Sequence, residues 1–138
     1  LDAVWGYEPS VENMRKIVMS FAYDTGMMTD DLVRSRYEAS VRPGYQESFS
    51  RMFAVPRQRH VKALATPEDD IRKIQQRALI IHGRDDAVVP PANSLKFHSL
   101  LKNSDLHMFG KCGHWTQIEH AARFTRLVSD FLTEADAG

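Results

Sequence analysis

An α/β architecture, a parallel sheet with flanking helices preceded by a mostly helical region, is what this sequence predicts. Three observations point there. Ala78–Ile81 is a short, continuous apolar run, as expected of a strand covered on both faces in a parallel sheet. Two strand-like stretches in the second half alternate with helical ones, the pattern of parallel crossovers. Residues 1–60 instead show helical periodicity broken by Gly and Pro.

Taken in order, Ser10 is placed to cap a helix whose apolar residues Val11, Met14, Ile17, Val18 and Phe21 recur at helical spacing. After Gly26, Thr29 caps a second helix, with Asp30 and Asp31 in its first turn against the positive dipole end. The Arg42-Pro43-Gly44 turn ends it, and a third segment follows around Gln46–Phe53. Pro56 and Pro67 punctuate the crossing to the second half. There, Arg77–His82 reads as a strand, Pro90 and Pro91 open a helix to about Leu101, and Leu106–Phe109 reads as a second strand. Gln117–Leu132 reads as one long helix with Ile118, Ala121, Phe124, Val128 and Phe131 inward. Glu119, Arg123, Arg126 and Asp130 fall on its wet side. Residues 1–60 are thus assigned to a helical region and 61–138 to the sheet-bearing one.

Composition narrows the function classes. Eighteen basic and eighteen acidic residues cancel, so no net field favours nucleic acid or an anionic membrane surface. No apolar run reaches the length of a membrane span. Cys112 is the single cysteine, which leaves no internal disulfide and fits a reducing, cytoplasmic compartment. The sequence opens on Leu1 within what reads as folded chain, and is expected to be the C-terminal part of a longer protein.

The chemistry gathers at two strand ends. In open α/β sheets, active groups collect beyond the carboxyl ends of strands. Asp85 and Asp86 follow one such end and His114 the next, separated by one helix, one strand and two short turns. Neighbouring parallel strands lie about 4.8 Å apart, so groups at their ends can meet. Acid before base is the order of the last two members of a Ser…Asp…His triad. A carboxylate there fixes the imidazole tautomer and stabilises the imidazolium formed when it takes a serine proton. Asp86 is favoured, because the turn aims it towards the next strand, whereas Asp85 is expected to hold the loop. The plainer alternative is that Gly-Arg-Asp-Asp is an ordinary surface turn.

The remaining candidates are weighed similarly. His82 reads as a packed strand-end residue, and His60, His98 and His107 have no partner at ligand spacing. His114 and His120 flank Glu119 without the one-turn spacing of a zinc helix, so no metal site is expected. Cys112 is read as a packing residue beside the base, with nucleophile as the alternative. Arg36 lies four after Leu32 and three after Val33, sharing their apolar face, where a guanidinium is costly unless it meets an anion. That anion is an internal carboxylate such as Asp24 or Glu47, or a ligand carboxylate bound in bidentate fashion. Phe21, Tyr23, Met27, Met28 and Tyr37 are either plain core or the wall of an apolar pocket.

These residues resemble a known family. LDAVWGYEPS at the start, FAYD at 21–24, Arg-x-Arg-Tyr-Glu-Ala-Ser at 34–40, RPGYQESF at 42–49, HGRDD at 82–86 and CGHWTQIEHAARF at 112–124 resemble the C-terminal half of meta-cleavage product hydrolases. HGRDD and GHW are common to many α/β-hydrolases; the helical-region matches are far more selective. The resemblance implies the last two strands of an α/β-hydrolase core with their helices, preceded by most of a helical lid. It implies Asp86 and His114 as triad acid and base, and Arg36 as the clamp on the substrate carboxylate. Trp115 and Phe21 are implied as pocket walls, with Val88 and Val89 lining the side of the departing acyl group.

The implied reaction is hydrolysis of a carbon–carbon bond in a 2-hydroxy-6-oxohexa-2,4-dienoate such as 2-hydroxymuconic semialdehyde, in aromatic catabolism, with no cofactor. An assembly of identical chains is implied; nucleic acid and membrane partners are not. The sequence has no Gly-x-Ser-x-Gly, so the nucleophile is expected outside these residues and the 138-residue polypeptide alone is expected to be inactive. Other expectations consistent with the residues are an esterase on the same fold, or a non-catalytic truncated or ligand-sensing relative.

Overall fold

The computed structural model describes residues 2–52 and 54–136. The chain divides into two compact units, residues 1–20 with 28–66, and residues 21–27 with 67–138. The division at Thr66/Pro67 lies a few residues beyond the sequence-based boundary, and the short stretch 21–27 goes with the sheet-bearing unit.

The first unit is helical: α1 (Asp2–Trp5), α2 (Val11–Phe21, whose last residue counts with the second unit), α3 (Asp30–Ser40), α4 (Tyr45–Met52) and α5 (Arg57–Leu64). Both expected caps form. Ser10 Oγ accepts from the Asn13 amide at 3.0 Å and Thr29 Oγ1 from the Leu32 amide at 3.2 Å, each satisfying a first-turn N–H that the helix cannot. Met14 and Val18 of α2, Met28, and Val33 of α3 form the buried centre. Ser40 is buried with them, its hydroxyl donating to Tyr37 O at 2.7 Å and accepting from Tyr7 at 3.0 Å. Arg15 pairs with Asp30 at 2.8 Å, and Arg57 Nε donates to Trp5 O at 3.2 Å. The third expected segment is α4; its last expected residue, Phe53, lies outside the described residues. Helix α5 was not expected, because Arg57–Leu64 has no buried residue and hence no apolar stripe to read.

The second unit holds α6 (Glu68–Ile71), β1 (Ala78–Gly83), α7 (Ala92–Leu100), β2 (Ser104–Phe109), α8 (Thr116–Glu119) and α9 (Ala121–Asp136). β1 and β2 pair in parallel, in register from Ala78↔Ser104 to Gly83↔Phe109, so their carboxyl ends are level. Among the described residues the sheet has these two strands. Leu79, Ile80 and Ile81 are therefore half-buried, not fully covered. Helix α6, also unexpected, starts on Pro67 with Glu68, Asp69 and Asp70 in its first turn, and Glu68 reaches Lys96 of α7 at 2.5 Å.

The expected long helix is two helices, broken at His120 (φ −126°, ψ 39°). The side chains of Glu119 and His120 are both drawn to the 111–113 loop. Glu119 accepts from the Gly113 amide at 2.7 Å, and His120 Nε2 donates to Lys111 O at 3.2 Å while its ring stacks on Phe109 at 4.9 Å. Phe124, Val128 and Phe131 face inward as expected, with Leu127 beside them; Ala121, expected inward, is exposed. Glu119 is likewise not on a solvated face, a second correction.

Candidate active site

Level strand ends bring the following loops together, and backbone hydrogen bonds lace them. Arg84 N donates to Phe109 O at 2.8 Å, Asp85 N to Cys112 O at 2.9 Å, and Asp86 N to Gly83 O at 3.2 Å. Asp85 Oδ2 accepts from the Lys111 amide at 2.8 Å, where Lys111 adopts φ 52°. The loops approach so closely that two glycines are required. A Cβ on Gly83 would fall on the Gly113 carbonyl oxygen, and one on Gly113 would lie 2.5 Å from Phe21 O.

Asp86 is the side chain this packing aims at the next strand. Its carboxylate is 4% exposed and accepts three hydrogen bonds. Oδ1 takes the amides of Val88 at 2.7 Å and Val89 at 2.9 Å; Oδ2 takes His114 Nδ1 at 2.9 Å, and His82 Nε2 lies 3.3 Å from it. Burial pushes this carboxyl up, yet the Val89 amide, His114 and the Val88 amide together hold it below its ordinary value.

The second imidazole has a definable tautomer. His82 Nε2 also lies 3.0 Å from Val89 O, which only accepts, so Nε2 carries the proton. Nδ1 then accepts from the Ser94 hydroxyl at 2.6 Å. His82 is thus a buried donor to Val89 O and acceptor from Ser94, lying beside Asp86, more than the packed strand-end residue expected. The turn that places Val89 O beside it has no signature in the local residue pattern.

For His114, a carboxylate against Nδ1 places the proton there and makes Nε2 the nitrogen that exchanges protons. The ring is one-third exposed. Its amide donates to Phe21 O at 2.6 Å, and the Phe21 ring lies 5.0 Å from the imidazole and 5.1 Å from the Trp115 ring. A hollow of about 160 Å³ opens here, with Asp86, Val89, His114 and Thr116 in its lining. Chemically, the arrangement can serve as a general base with a fixed tautomer, backed by a carboxylate held ionised by three donors.

Asp86, His114, Phe21, Trp115, Val88 and Val89 therefore come together, the two valines through backbone amides that sequence reasoning did not assign. Asp85 points elsewhere, to the Lys111 amide and the Arg84 guanidinium at 3.2 Å. Cys112 is fully buried, and burial, with Glu119 and Asp85 nearby, pushes its thiol up to about 12, the state of a packing residue rather than a nucleophile. Arg36 belongs to the helical unit. It is exposed on α3, at the margin of a stripe made by Val33, Tyr37 and Ser40 and not within it, which corrects its assignment to the buried face. Of its two suggested carboxylates, Glu47 pairs with Arg51 at 2.5 Å and Asp24 Oδ1 accepts the Gly26 amide at 2.9 Å. Among the pocket candidates, Met28 is buried and Tyr37 half-buried, while Tyr23 and Met27 are exposed. Among the described residues no cluster of three or more His, Cys, Asp or Glu is placed to hold a metal, and no helix is long and apolar enough to cross a membrane.

Comparison with known proteins places this geometry in context. Residues 19–121 match the family described as alpha/beta hydrolase fold. The chain is 57% identical over 136 residues to a 2-hydroxy-6-oxo-2,4-heptadienoate hydrolase of Pseudomonas putida strain F1, covering 99% of this chain and 49% of that protein. It is 53% identical over 137 residues to a 2-hydroxymuconate semialdehyde hydrolase of Pseudomonas sp. strain CF600, covering 99% and 48%. The crystal structure of a meta-cleavage product hydrolase from Pseudomonas fluorescens IP01 superposes with a TM-score of 0.92 at 56% identity, over 98% of this chain and 50% of that one. The chain spans about half the length of the curated relatives it matches.

Proposed function

Because this chain belongs to the alpha/beta hydrolase fold family, we propose that it supplies the acid and base of a serine-type hydrolase acting on carbon–carbon bonds. Its substrates are 2-hydroxy-6-oxohexa-2,4-dienoates, in an enzyme of the 2-hydroxymuconate-semialdehyde hydrolase type within aromatic catabolism. The observation that carries the reading is the contact between Asp86 Oδ2 and His114 Nδ1, set at the carboxyl ends of paired parallel strands. The relatives named above support the substrate class.

In this reading the dienol gains a proton at C5 and loses that of its 2-hydroxyl, becoming a 2-keto form. A serine contributed from outside these 138 residues attacks the C6 carbonyl and passes its proton to His114 Nε2, while Asp86 stabilises the imidazolium. The C5–C6 bond then breaks, its electron pair delocalising towards the C2 ketone. The His114 imidazolium returns its proton to the resulting dienolate, giving 2-hydroxypenta-2,4-dienoate, and water hydrolyses the acyl-enzyme to formate or a short carboxylic acid. Residues 1–60 supply most of a helical lid, and 61–138 supply the C-terminal part of the hydrolase core, its last two strands and their helices. Arg36 anchors the substrate carboxylate, Phe21 and Trp115 wall the pocket, and Val88 and Val89 line the acyl side. The enzyme needs no cofactor or metal, works in the cytoplasm as a homo-oligomer, and engages neither nucleic acid nor membrane.

An esterase on the same fold is the competing outcome, and Arg36 separates the two. In the assembled enzyme, Arg36→Ala is expected to raise KM for a dienoate at least about 10-fold, the cost of losing a charged hydrogen-bond partner. Hydrolysis of a neutral aryl ester should change less than about 2-fold. Equal losses on both substrates would remove the carboxylate-anchoring role.

A further inference from the structure

We infer that Glu119 is a positioning residue for His114: its carboxylate clasps the loop carrying the base to residues 21–24, so that the imidazole and Phe21 are set as one piece. The inference rests on the hydrolase reading above. Both carboxylate oxygens are engaged, and on different segments. Oε1 accepts the Gly113 amide at 2.7 Å, immediately before His114, and has the Cys112 thiol at 3.9 Å. Oε2 accepts the amides of Tyr23 at 2.7 Å and Asp24 at 3.2 Å. A single side chain thus satisfies three backbone donors from segments ninety residues apart in sequence, which backbone pairing alone leaves open.

The contacts around the clasp explain why it bears on the base. His114 N donates to Phe21 O, and Gly113 has no room for a Cβ against Phe21 O and the Tyr23 amide. Residues 112–114 are therefore pressed between Gly83 on one side and 21–23 on the other. Charge-assisted bonds from backbone N–H to carboxylate are stronger than neutral ones, so the clasp is the strongest tie on the 21–23 side. The helix breaks at His120, directly after Glu119. If the clasp is released, Gly113 is freed at the residue next to the base, and His114 loses the fixed approach of Nδ1 to Asp86. A reacting group misplaced by about 1 Å costs on the order of 100-fold in rate.

The test uses the assembled enzyme with Glu119→Gln, which keeps one acceptor oxygen but turns an amide NH₂ on a backbone N–H, and Glu119→Ala, which removes both ties. Glu134→Gln, on the following helix α9 and paired with Arg77, is the control. Expected is a graded fall in kcat on a dienoate, about 10-fold for Gln and more for Ala, with KM within about 2-fold. Amide exchange at Gly113, Tyr23 and Asp24 should quicken while the β1–β2 ladder stays protected. The low-field Nδ1 proton of His114 should broaden in Glu119→Gln and remain sharp in Glu134→Gln. A lower melting temperature with kcat and the His114 proton unchanged would mean a merely structural role and overturn the proposal. If Glu119→Ala does not fold, the Gln variant decides. Should the wild type turn over neither dienoate nor ester, the hydrolase reading fails; an unaltered His114 proton in Glu119→Gln would still overturn the clasp separately.

Discussion

Asp86→Asn should lower kcat of the assembled enzyme by about 10,000-fold, the size of effect seen when a triad carboxylate is neutralised and the base takes the wrong tautomer. The reason is local. The Val88 and Val89 amides at Oδ1 demand an acceptor, so the asparagine must place its oxygen there. Its NH₂ then replaces Oδ2 and faces His114 Nδ1 as a donor. The imidazole answers by accepting at Nδ1 and carrying its proton on Nε2, where it cannot take one from a serine. His82 cannot relieve the conflict, because Val89 O holds a proton on the nearby Nε2, which leaves no acceptor there for the new NH₂. Asp85→Asn keeps an oxygen for the Lys111 amide and should cost less than about 3-fold, since Asp85 lies off the reacting path. Steady-state kinetics of both variants check this, and the reverse ranking would exchange the two residues' roles. The lowered pKa of Asp86, whose charged form its hydrogen-bond donors favour, sets the pH sense. Its stabilising contribution is complete above the ordinary aspartate value of about 3.9 and is lost only as pH falls through its lower folded value.

Gly83→Ala should destabilise the protein by at least about 3 kcal/mol, at the upper end of overpacking effects, and abolish activity with it. The added methyl would fall on Gly113 O and lie 2.5 Å from Cys112 O, both backbone atoms of the loop carrying the base. Neither can move without parting the Asp85 N to Cys112 O bond or the register at Gly83↔Phe109. Gly110→Ala is the contrast. Its Cβ would meet only the flexible Arg84 guanidinium at 3.4 Å, and the expected cost is below about 1 kcal/mol. Urea unfolding of the two variants measures the difference; a Gly83→Ala protein within 1 kcal/mol of wild type would contradict the close packing of the two loops.

Much of this architecture is legible in the residues, for identifiable reasons. The caps at Ser10 and Thr29 are local hydrogen bonds, so local sequence specifies them. The two strands are apolar runs bounded by turn residues, and their crossover makes them parallel. That is enough to bring Asp86 and His114 within contact, because level strand ends leave little freedom. What was not legible depends on partners far along the chain. Glu119 sits at a solvent-facing phase of a helical pattern, and the amides of Gly113 and of the distant Tyr23 and Asp24 draw it inward. His82 acquires its tautomer from a carbonyl that the following turn presents. α5 and α6 lack an apolar stripe, so periodicity cannot announce them. Arg36 misled in the opposite direction: three residues after Val33 is the edge of a helical stripe as readily as its middle, and a long guanidinium stem reaches solvent from there.

The most direct measurement of the central claim is product analysis of the assembled enzyme with 2-hydroxymuconic semialdehyde. The account predicts decay of the yellow dienolate with stoichiometric formation of formate and 2-hydroxypenta-2,4-dienoate, lost together in Asp86→Asn and His114→Ala. An enzyme that leaves the dienolate intact while hydrolysing a neutral ester through the same two residues would contradict it.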